Sequence, residues 1–490
     1  MEKEPIMPLT KPLPDHKTKI VCTIGPVSRS KEILKKLLKQ GMNLARINFS
    51  HGSLEGHRET IRLIRSLSKE MNRSCPILVD LPGPKIRLGR LFAEPLTLTK
   101  GQRVTLTTTT DSNQPTLIPV EYHKLPQSVS RGKIIYLNDG FLQLKVLGVS
   151  GREVECKVLV GGPLLSHKGL NLPGAKIAAD PVTEEDLAFV EFGLKEGLTI
   201  FSLSFVEKAE DIVKIKAFAQ KRGKKISVIA KIERAEAVKN IEKILKVADG
   251  IMIARGDLGV EIPIEHVPAI QKKLIYQANL LGRPVITATQ MLESMTENIR
   301  PTRAEVTDVA NAILDGSDAI MLSEETAIGR YPVETVAMMA RIAASIEHQR
   351  QKINPSSHTY DYLKTDIGQG KVTISNAITM NVMESLRVMK IKLILTPTHS
   401  GVTARRISRF KPDCWILAFC PDEATRDFLS LSSGVAAFRL DGKDLFHYEN
   451  LFKFVKEARL AQKGDRLIIT EMVAPGQAGG INSLNFATLT

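Results

Sequence analysis

Short apolar runs alternate with longer amphipathic segments along most of the chain. Within the longer segments apolar residues recur every third or fourth position, the period of a helix with one buried face. Eight strands alternating with helices predict a (β/α)8 barrel, an α/β fold. The predicted strands are Lys19–Ile24, Asn43–Phe49, Pro76–Leu81, Thr199–Phe205, Ser227–Ile232, Asp249–Ala254, Pro284–Thr289 and Asp318–Ser323. The predicted helices are Lys31–Gln40, Leu54–Glu70, Glu184–Glu196, Ala209–Arg222, Val267–Leu281, Arg303–Leu314 and Val333–Gln349.

The alternation breaks once, after the third predicted strand. From about residue 85 to 175 the pattern changes to short strand-like runs, separated by turns such as Asn138-Asp-Gly140. Short strands at this spacing predict an inserted β domain, a small antiparallel barrel or sandwich. Because catalytic loops gather at the end of the barrel where each strand finishes, we expect this insertion to cap a site there.

A polar stretch at 352–370 separates the barrel from a last region with its own alternation of strands and helices, which predicts a C-terminal α/β domain. The predicted domain boundaries are a tail at 1–15, the barrel at 16–84 and 176–350, the inserted domain at 85–175 and the C-terminal domain at 351–490.

Composition excludes several other classes of protein. Hydrophobic residues make up 43% and charged residues 25%, as in ordinary globular proteins. No apolar run approaches the ~20 residues that span a bilayer, and the first residues lack a secretory pattern, so we expect a cytoplasmic protein. The charge of +15 is spread along the chain and aromatic residues are only 5%, which argues against nucleic-acid binding. The five cysteines form no C-x-x-C pair, so we expect reduced thiols.

The most informative polar pair lies at the end of the fifth predicted strand. Lys231 and Glu233 are two positions apart, so on a strand they point to the same side. A lysine there can meet a phosphoryl group, and a carboxylate can hold the divalent ion that accompanies phosphate. The alternative is a structural ion pair at the barrel rim.

Polar residues also end other predicted strands. Taken singly, each could cap the following helix, and a polar residue inside the barrel could be a satisfied core group. Together they lie at one rim, which is typical of a barrel active site, and their mixture of carboxylates and basic groups indicates a metal and an anion. These residues are Arg46, Asn48, Ser50, Asp80, Arg255, Asp257, Thr287, Thr289, Ser323, Glu324 and Glu325.

Several runs resemble the pyruvate kinase family. The most specific is Ala288-Thr-Gln-Met-Leu-Glu-Ser-Met295, and the C-terminal third is similar more weakly, through Thr398–Arg405 and Pro475–Gly480. The other matching runs are Lys19–Pro26, Asn43–Gly52, Lys168–Gly174, Ile229–Glu233, Asp249–Pro263, Pro284–Met295, Pro301–Asp315 and Ile320–Thr326.

The resemblance implies transfer of the phosphoryl group of phosphoenolpyruvate to ADP, giving ATP and pyruvate, the last step of glycolysis. It also implies a bound Mg2+ or Mn2+ and a homotetramer. By the same resemblance Lys231 neutralises the phosphoryl group in flight, Arg46 binds substrate phosphate, and Glu233 and Asp257 bind the metal.

Further contacts are implied in the same way. Gly256, Asp257 and Thr289 contact the carboxylate and enolate end of the substrate. The nucleotide is contacted by a group of polar and basic residues. The nucleotide residues are Asn48, Ser50, His51, Arg87 and Lys168. Apart from the resemblance, the product enolate needs a proton and no obvious acid lies in the motifs, so we expect a water relayed through hydroxyls such as Thr289 to supply it.

The run from Asp80 to Arg87 departs from the family pattern. In many members a K+ ion lies between residues equivalent to Asn48, Ser50 and Asp80 and a threonine that follows the aspartate. In this chain Leu81 replaces that threonine and Lys85 replaces a glutamate. With a lysine at this position the chain resembles a K+-independent subgroup of the family. A lysine brings its own fixed cation, so we expect that K+ is not required. The alternative is that Lys85 points to solvent while K+ still binds.

The C-terminal domain of the family binds regulatory ligands that are often phosphorylated. Thr398, Ser400, Gly401 and Thr403 open a predicted helix, whose N-terminus can hold the phosphate of an effector. The alternative is an ordinary helix cap. For the whole chain, the other functions weighed are a catalytically silent paralogue that binds metabolites and another phosphate-handling barrel enzyme, such as a lyase.

Overall fold

A computed structural model describes most of the chain. The predicted tail lies largely outside the described residues, as do parts of the polar stretch 352–370, residue 139 of the predicted turn and the glycine-rich run 475–480. The described residues are 13–109, 114–138, 140–175, 180–353, 359–361, 363–364, 373–440, 447–471 and 482–490.

Eight parallel strands close into a barrel, which confirms the predicted fold class. Each strand pairs with the neighbouring barrel strands in the sequence, and the first pairs with the last through Lys19 and Ala319. The observed strands end within two residues of the predicted ones. They are Lys19–Thr23, Leu44–Asn48, Ile77–Asp80, Ile200–Leu203, Ser227–Ile232, Gly250–Ala254, Val285–Ala288 and Ala319–Leu322.

Helices pack around the barrel, and all seven predicted ones are present. Short helices at Ala235–Lys239, Ile241–Val247 and Arg255–Glu261 were not predicted, because one or two turns are too short to show a helical period. The longer helices are Lys31–Gln40, Leu54–Glu70, Glu184–Lys195, Ala209–Gln220, Val267–Leu280, Arg303–Leu314 and Pro332–Ile353, with short turns at Ile264–His266, Glu293–Thr296 and Glu324–Ala327.

The inserted domain is built on a six-stranded sheet. The two edges of this sheet both meet residues 87 and 88, since Arg87 bridges to Gly169 and Leu88 bridges to Val120. Residues 87 and 88 therefore lie between the two edges of the sheet, and the inserted domain has its own apolar core. Its strands are Arg103–Thr107, Leu117–Pro119, Ile134–Leu137, Leu142–Ser150, Glu153–Val160 and Leu170–Asn171, beside a pair at Leu96–Leu98 and Gly162–Leu164 and a helical turn at Leu125–Ser128.

The C-terminal region forms a five-stranded sheet in which only the last strand is antiparallel. Two edge strands, Val435–Arg439 and Ser483–Thr488, and the helix Tyr448–Glu457 were not predicted. The central strands are Leu393–Pro397, Trp415–Cys420 and Arg466–Glu471, and the other helices are Ile374–Val388, Val402–Ser408 and Glu423–Leu429.

Two further expectations concern the chain as a whole. Of the five cysteines, Cys414 is partly exposed and the other four are buried as free thiols. Among the helices that the structure describes, none is both long and apolar enough to cross a membrane.

The C-terminal domain is joined to the floor of the barrel, the end opposite the catalytic rim. Phe428 and Leu431 join the apolar layer formed inside the barrel by residues such as Val21 and Ile229. Beside them Asp318, which precedes the eighth strand, accepts a hydrogen bond from Lys411 Nζ at 2.6 Å, and both side chains are at most 6% exposed. The backbone N–H of Ser433 donates to the same carboxylate oxygen at 3.0 Å. The floor of the barrel and the C-terminal domain therefore share one buried interface.

We expect Lys411→Met to lower the unfolding temperature strongly, because Asp318 would stay buried without its cation, a change that costs about 3–5 kcal/mol. The matched control is Lys453→Met, which removes an exposed lysine 3.9 Å from Glu457 and should cost no more than about 1 kcal/mol. Thermal unfolding followed by calorimetry compares the two variants. Equal unfolding temperatures would contradict a stabilising role for the Asp318 pair.

Candidate active site

Lys231 lies at the centre of a polar cluster inside the rim of the barrel. Its Nζ atom is 2.8 Å from Glu233 Oε1, 2.7 Å from Ser204 Oγ and 3.5 Å from Asp80 Oδ1. The side chain of Lys231 is 12% exposed and that of Glu233 only 1%. The two residues share one side of the chain, as the alternation predicted, and they reach across to the third and fourth strands.

The charges around Lys231 favour its ammonium form. Burial alone would lower the pKa of Lys231, but Asp80 and then Glu233 outweigh this effect, so the pKa is raised above its ordinary value. The cluster therefore holds a fixed positive charge.

Asp80 ends the third strand and is the anion that holds this region together. Arg46 Nε donates to Asp80 Oδ2 at 2.8 Å, Arg46 Nη2 contacts the same oxygen, and Ser202 Oγ donates to Oδ1 at 2.7 Å. Burial would raise the pKa of Asp80, but Lys231 and Arg46 outweigh it and lower the pKa. Arg46 also donates to Thr23 Oγ1 at 2.8 Å, which fixes its guanidinium against the first strand.

Two carboxylates are suitable ligands for a divalent cation. Asp257 is close enough to Glu233 to help raise its pKa, after the larger effect of burial, so a bound cation would relieve an unfavourable interaction. Glu233 Oε2 accepts the backbone N–H of Phe205 at 2.7 Å, which orients the carboxylate. No group of three or more His, Cys, Asp or Glu with metal-binding geometry occurs among the described residues. Two carboxylates suit Mg2+, which keeps waters and substrate oxygens as its other ligands.

The sixth and seventh strands meet at Thr289. Its hydroxyl accepts the backbone N–H of Gly256 at 2.8 Å and donates to Ala288 O at 2.7 Å. Thr289 has a φ of 65°, which is strained for a β-branched residue. Arg255 stabilises this turn by donating to Thr289 O at 2.8 Å while pairing with Asp308.

The outer rim is positively charged. The pKa of His51 is lowered, first by desolvation and then by Arg87, Arg46 and Lys85, so three cations lie near it. The backbone N–H of Leu88 donates to Lys168 O at 3.0 Å, which brings Lys168 beside Arg87. A cationic rim attracts polyphosphates.

Asn48 and Ser50 follow the end of the second strand at this rim. Asn48 Oδ1 accepts the backbone N–H of Ser50 at 3.1 Å. Both residues are partly buried.

The segment after Asp80 has an arrangement that the sequence did not predict in full. Leu81 is buried, at 1% exposure. The Lys85 side chain is 28% exposed, and its Nζ atom lies 3.7 Å from Asp257 Oδ1. Lys85 therefore turns toward a candidate metal ligand. The cations with the largest effects on Asp80 are instead Lys231 and Arg46.

Two more of the predicted polar residues, Thr287 on the seventh strand and Glu325 after the eighth, are buried. Thr287 is a satisfied core residue, whose hydroxyl bonds to Ser317 Oγ at 2.8 Å. Glu325 is 2% exposed and accepts the backbone N–H groups of Leu292 at 3.1 Å and Ser323 at 2.7 Å. Burial raises the pKa of Glu325.

The candidate effector loop lies in the C-terminal domain, away from the barrel rim. Thr398 Oγ1 accepts the backbone N–H of Gly401 at 3.0 Å, and Gly401, with a φ of 73°, caps the helix Val402–Ser408. Thr398 thus takes part in a cap, while Ser400 is exposed and Thr403 partly buried.

Sequence reasoning missed several residues of the cluster. Ser202 lies on the fourth strand and contacts Asp80, and Ser204, directly after the end of that strand, contacts Lys231. Two serines at a spacing of two in an otherwise apolar predicted strand indicate a polar face, so the sequence could have predicted them. The contact of Phe205 N–H with Glu233 had no such signal, because it is made by backbone.

These features define a phosphate-handling enzyme of the barrel class. They are a lysine and an arginine held by buried carboxylates, two candidate metal ligands and a cationic rim, all at the catalytic end of a (β/α)8 barrel. Family models identify which one. The barrel domain of pyruvate kinase matches residues 15–336, and the alpha/beta domain of pyruvate kinase matches residues 376–486. The chain belongs to the pyruvate kinase family.

Individual relatives agree with this assignment. Pyruvate kinase from Thermococcus litoralis is 49% identical over 474 residues, which cover 96% of this chain and 98% of the relative. Pyruvate kinase from Thermotoga maritima is 42% identical over 95% of this chain and 98% of the relative. The crystal structure of a pyruvate kinase from Cryptosporidium parvum is 36% identical, with a TM-score of 0.87 over 97% of both chains.

Family membership determines the class of reaction. The protein is a phosphotransferase whose substrates are phosphoenolpyruvate and ADP and whose product is pyruvate. The family generally uses Mg2+, and the carboxylates of Glu233 and Asp257 fit that ion.

We expect Asp80→Asn to lower kcat/KM for phosphoenolpyruvate by about 100-fold, because Arg46 and Lys231 would lose the charge that holds them in place. The control is Asp180→Asn, which removes a carboxylate that is 58% exposed and paired with Lys214 at 2.6 Å. Steady-state kinetics at saturating Mg2+ compare the two variants. Near-normal kcat/KM in Asp80→Asn would show that Asp80 does not organise the site.

Proposed function

We propose that this member of the family catalyses phosphoryl transfer without K+, because Lys85 supplies the cation that K+ provides in other members. The supporting observation is the Lys85 ammonium 3.7 Å from Asp257 Oδ1, in a side chain only 28% exposed. A glutamate at this position would add negative charge beside Asp257, and that charge would need a counterion. In this proposal the oxygens of Asn48, Ser50 and Asp80 bind no K+. Leu81 has no side-chain oxygen that could complete a K+ site with them.

The remaining roles follow from charge and position. Arg46 holds the phosphate of phosphoenolpyruvate, and Lys231 neutralises the phosphoryl group while it is transferred, since a metaphosphate-like transition state needs mainly positive charge and alignment. Glu233 and Asp257 would hold Mg2+ or Mn2+, which polarises phosphoryl and enolate oxygens when bound. Gly256, Asp257 and Thr289 hold the carboxylate and enolate end of the substrate.

Nucleotide binding and proton transfer use the rest of the rim. Asn48, Ser50, His51, Arg87 and Lys168 bind the nucleotide, because this part of the rim is cationic and rich in hydrogen-bond donors. Thr289 relays a proton from water to the enolate by turning its hydroxyl, which in this structure accepts from Gly256 N–H and donates to Ala288 O, toward the substrate.

Assembly and regulation complete the proposal. We infer a cytoplasmic homotetramer, by analogy with the family. The loop containing Thr398, Ser400, Gly401 and Thr403 is its candidate site for a phosphorylated effector. The domain boundaries predicted from the sequence, at 15, 84, 175 and 350, are retained as part of this proposal.

Replacing Lys231 with Met should lower kcat by about 1000-fold or more, because a preorganised charge at the transition state is lost. The control is Lys225→Met, an exposed lysine just before the same strand. Pyruvate formation measures turnover, and far-UV circular dichroism checks that both variants fold. Turnover near the wild-type value would mean that Lys231 does not stabilise the transferred phosphoryl group.

The K+ hypothesis is tested by turnover with phosphoenolpyruvate, ADP and Mg2+ in a K+-free buffer containing tetramethylammonium. Adding KCl at constant ionic strength should change the wild-type rate by less than about twofold, because Lys85 already provides the cation. Lys85→Glu should be impaired without K+ and regain activity when KCl is added. A double variant, Leu81→Thr with Lys85→Glu, should respond to K+ more strongly, since it adds the missing oxygen ligand.

Lys145→Glu is the charge-matched control, since Lys145 is exposed on a strand of the inserted domain. It should respond to K+ as the wild type does. Strong activation of the wild-type enzyme by K+ would refute the role of Lys85 and leave the pyruvate kinase reaction itself unaffected.

A further inference from the structure

We propose that Ser204 is a positioning residue, which aims the ammonium group of Lys231 at the transferred phosphoryl group. This inference rests on the role proposed for Lys231. Ser204 is two residues after Ser202, directly beyond the end of the fourth strand, and is 2% exposed. Its Oγ atom lies 2.7 Å from Lys231 Nζ, closer than either Glu233 or Asp80.

The direction of the Ser204 hydroxyl is fixed by a second partner. Ser204 Oγ donates to Leu81 O at 2.6 Å, so its proton is committed to a backbone carbonyl and its lone pairs face Lys231. Ser204 can therefore act only as an acceptor toward the ammonium. The contact links Lys231 of the fifth strand to the backbone that leaves the third strand.

An ammonium group has three N–H donors, and the acceptors around Lys231 lie at unequal distances from its Nζ atom. Glu233 at 2.8 Å and Ser204 at 2.7 Å are within hydrogen-bond distance, while Asp80 is at 3.5 Å. Two short contacts on the same ammonium leave the third N–H for the substrate. Glu233 would also hold the divalent ion, so its contact with Lys231 depends on whether the metal is bound. The contact of Ser204 with Lys231 does not.

Without Ser204, electrostatic attraction would draw Lys231 toward Asp80. Asp80 is only 1% exposed, so its charge is weakly screened by solvent. Its Oδ1 atom, which faces Lys231, is occupied by the neutral hydroxyl of Ser202. Ser204 thus keeps the lysine from collapsing onto this carboxylate and away from the transferred group.

The surroundings of Ser204 strengthen this contact. Gly83 has a φ of 63°, and a Cβ atom placed on it would lie 3.0 Å from Ser204 Cβ, so the segment after the third strand closes directly over the serine. Ser204 is shielded from water, and a hydrogen bond to a charged group is stronger in such a setting.

The test compares Ser204→Ala with Ser204→Cys. Both should lower kcat by about 10- to 100-fold, the range for loss of a hydrogen bond to a charged group, while KM for phosphoenolpyruvate changes by less than about threefold. The cysteine fills the same space but is a poor acceptor. If Ser204→Cys has wild-type kcat, the serine acts by packing alone and the proposal is wrong.

The control for loss of a buried hydroxyl is Ser408→Ala. Ser408 is 1% exposed and donates to Ser433 O at 2.6 Å, so it resembles Ser204 in burial and bonding but lies in the C-terminal domain. It should keep wild-type kcat with an unfolding temperature similar to that of Ser204→Ala. A loss of kcat in Ser408→Ala equal to that in Ser204→Ala would attribute the effect to stability and overturn the proposal.

A double-variant cycle tests whether Ser204 acts through Lys231. In a Lys231→Met background, Ser204→Ala should lower the residual rate by less than about twofold, because coupled residues are not additive. Full additivity would overturn the proposal. If Lys231→Met alone has normal activity, the role of Lys231 itself has failed, and with it the basis for this inference.

A crystal structure of Ser204→Ala gives a readout that does not depend on turnover. We expect Lys231 Nζ to move within hydrogen-bond distance of Asp80 Oδ1, from 3.5 Å in the parent structure. An unmoved Nζ atom would show that Glu233 alone positions the lysine, and Ser204 would then have no positioning role.

Discussion

The active site depends on two buried cations held by two buried carboxylates. Moving a charged group out of water costs several kcal/mol even after relaxation, so Lys231 and Arg46 can remain buried only because Asp80 and Glu233 compensate them. The pairing is uneven, since Asp80 serves both cations and Glu233 serves only Lys231. Lys231 and Arg46 therefore lie side by side against one carboxylate, and a preorganised pair of cations suits a site for a transferred anionic group.

The same barrel carries a second buried ion pair at its opposite end. Asp318, paired with Lys411 of the C-terminal domain, precedes the eighth strand, and Ser323 and Glu325 follow that strand at the catalytic rim. Phe428 adds an apolar contact from the C-terminal domain to the inside of the barrel. One strand of four residues thus separates the domain interface from the active site. The C-terminal domain is part of the barrel's packing and not merely attached to it.

The sequence predicted what periodicity and strand ends can encode. The eight barrel strands and Lys231, Glu233, Arg46 and Asp80 at the rim are of this kind, because each depends on local spacing. The contact of Lys85 with Asp257 was not predicted, since it depends on how a loop folds across two distant strands. The edge strands of the C-terminal sheet, such as Ser483–Thr488, were missed because they are partly exposed and lack a continuous apolar run.

The run from Asp80 to Arg87 meets the active site through both its backbone and its side chains. Leu81 has no side-chain oxygen, but its backbone carbonyl receives the Ser204 hydroxyl, and any residue supplies that carbonyl. This hydrogen bond of Ser204 is therefore independent of the side chain at position 81. Lys85 lies four residues further on and turns to Asp257 instead of Asp80. The backbone of this segment therefore contacts the Ser204–Lys231 pair, while the Lys85 side chain contacts Asp257.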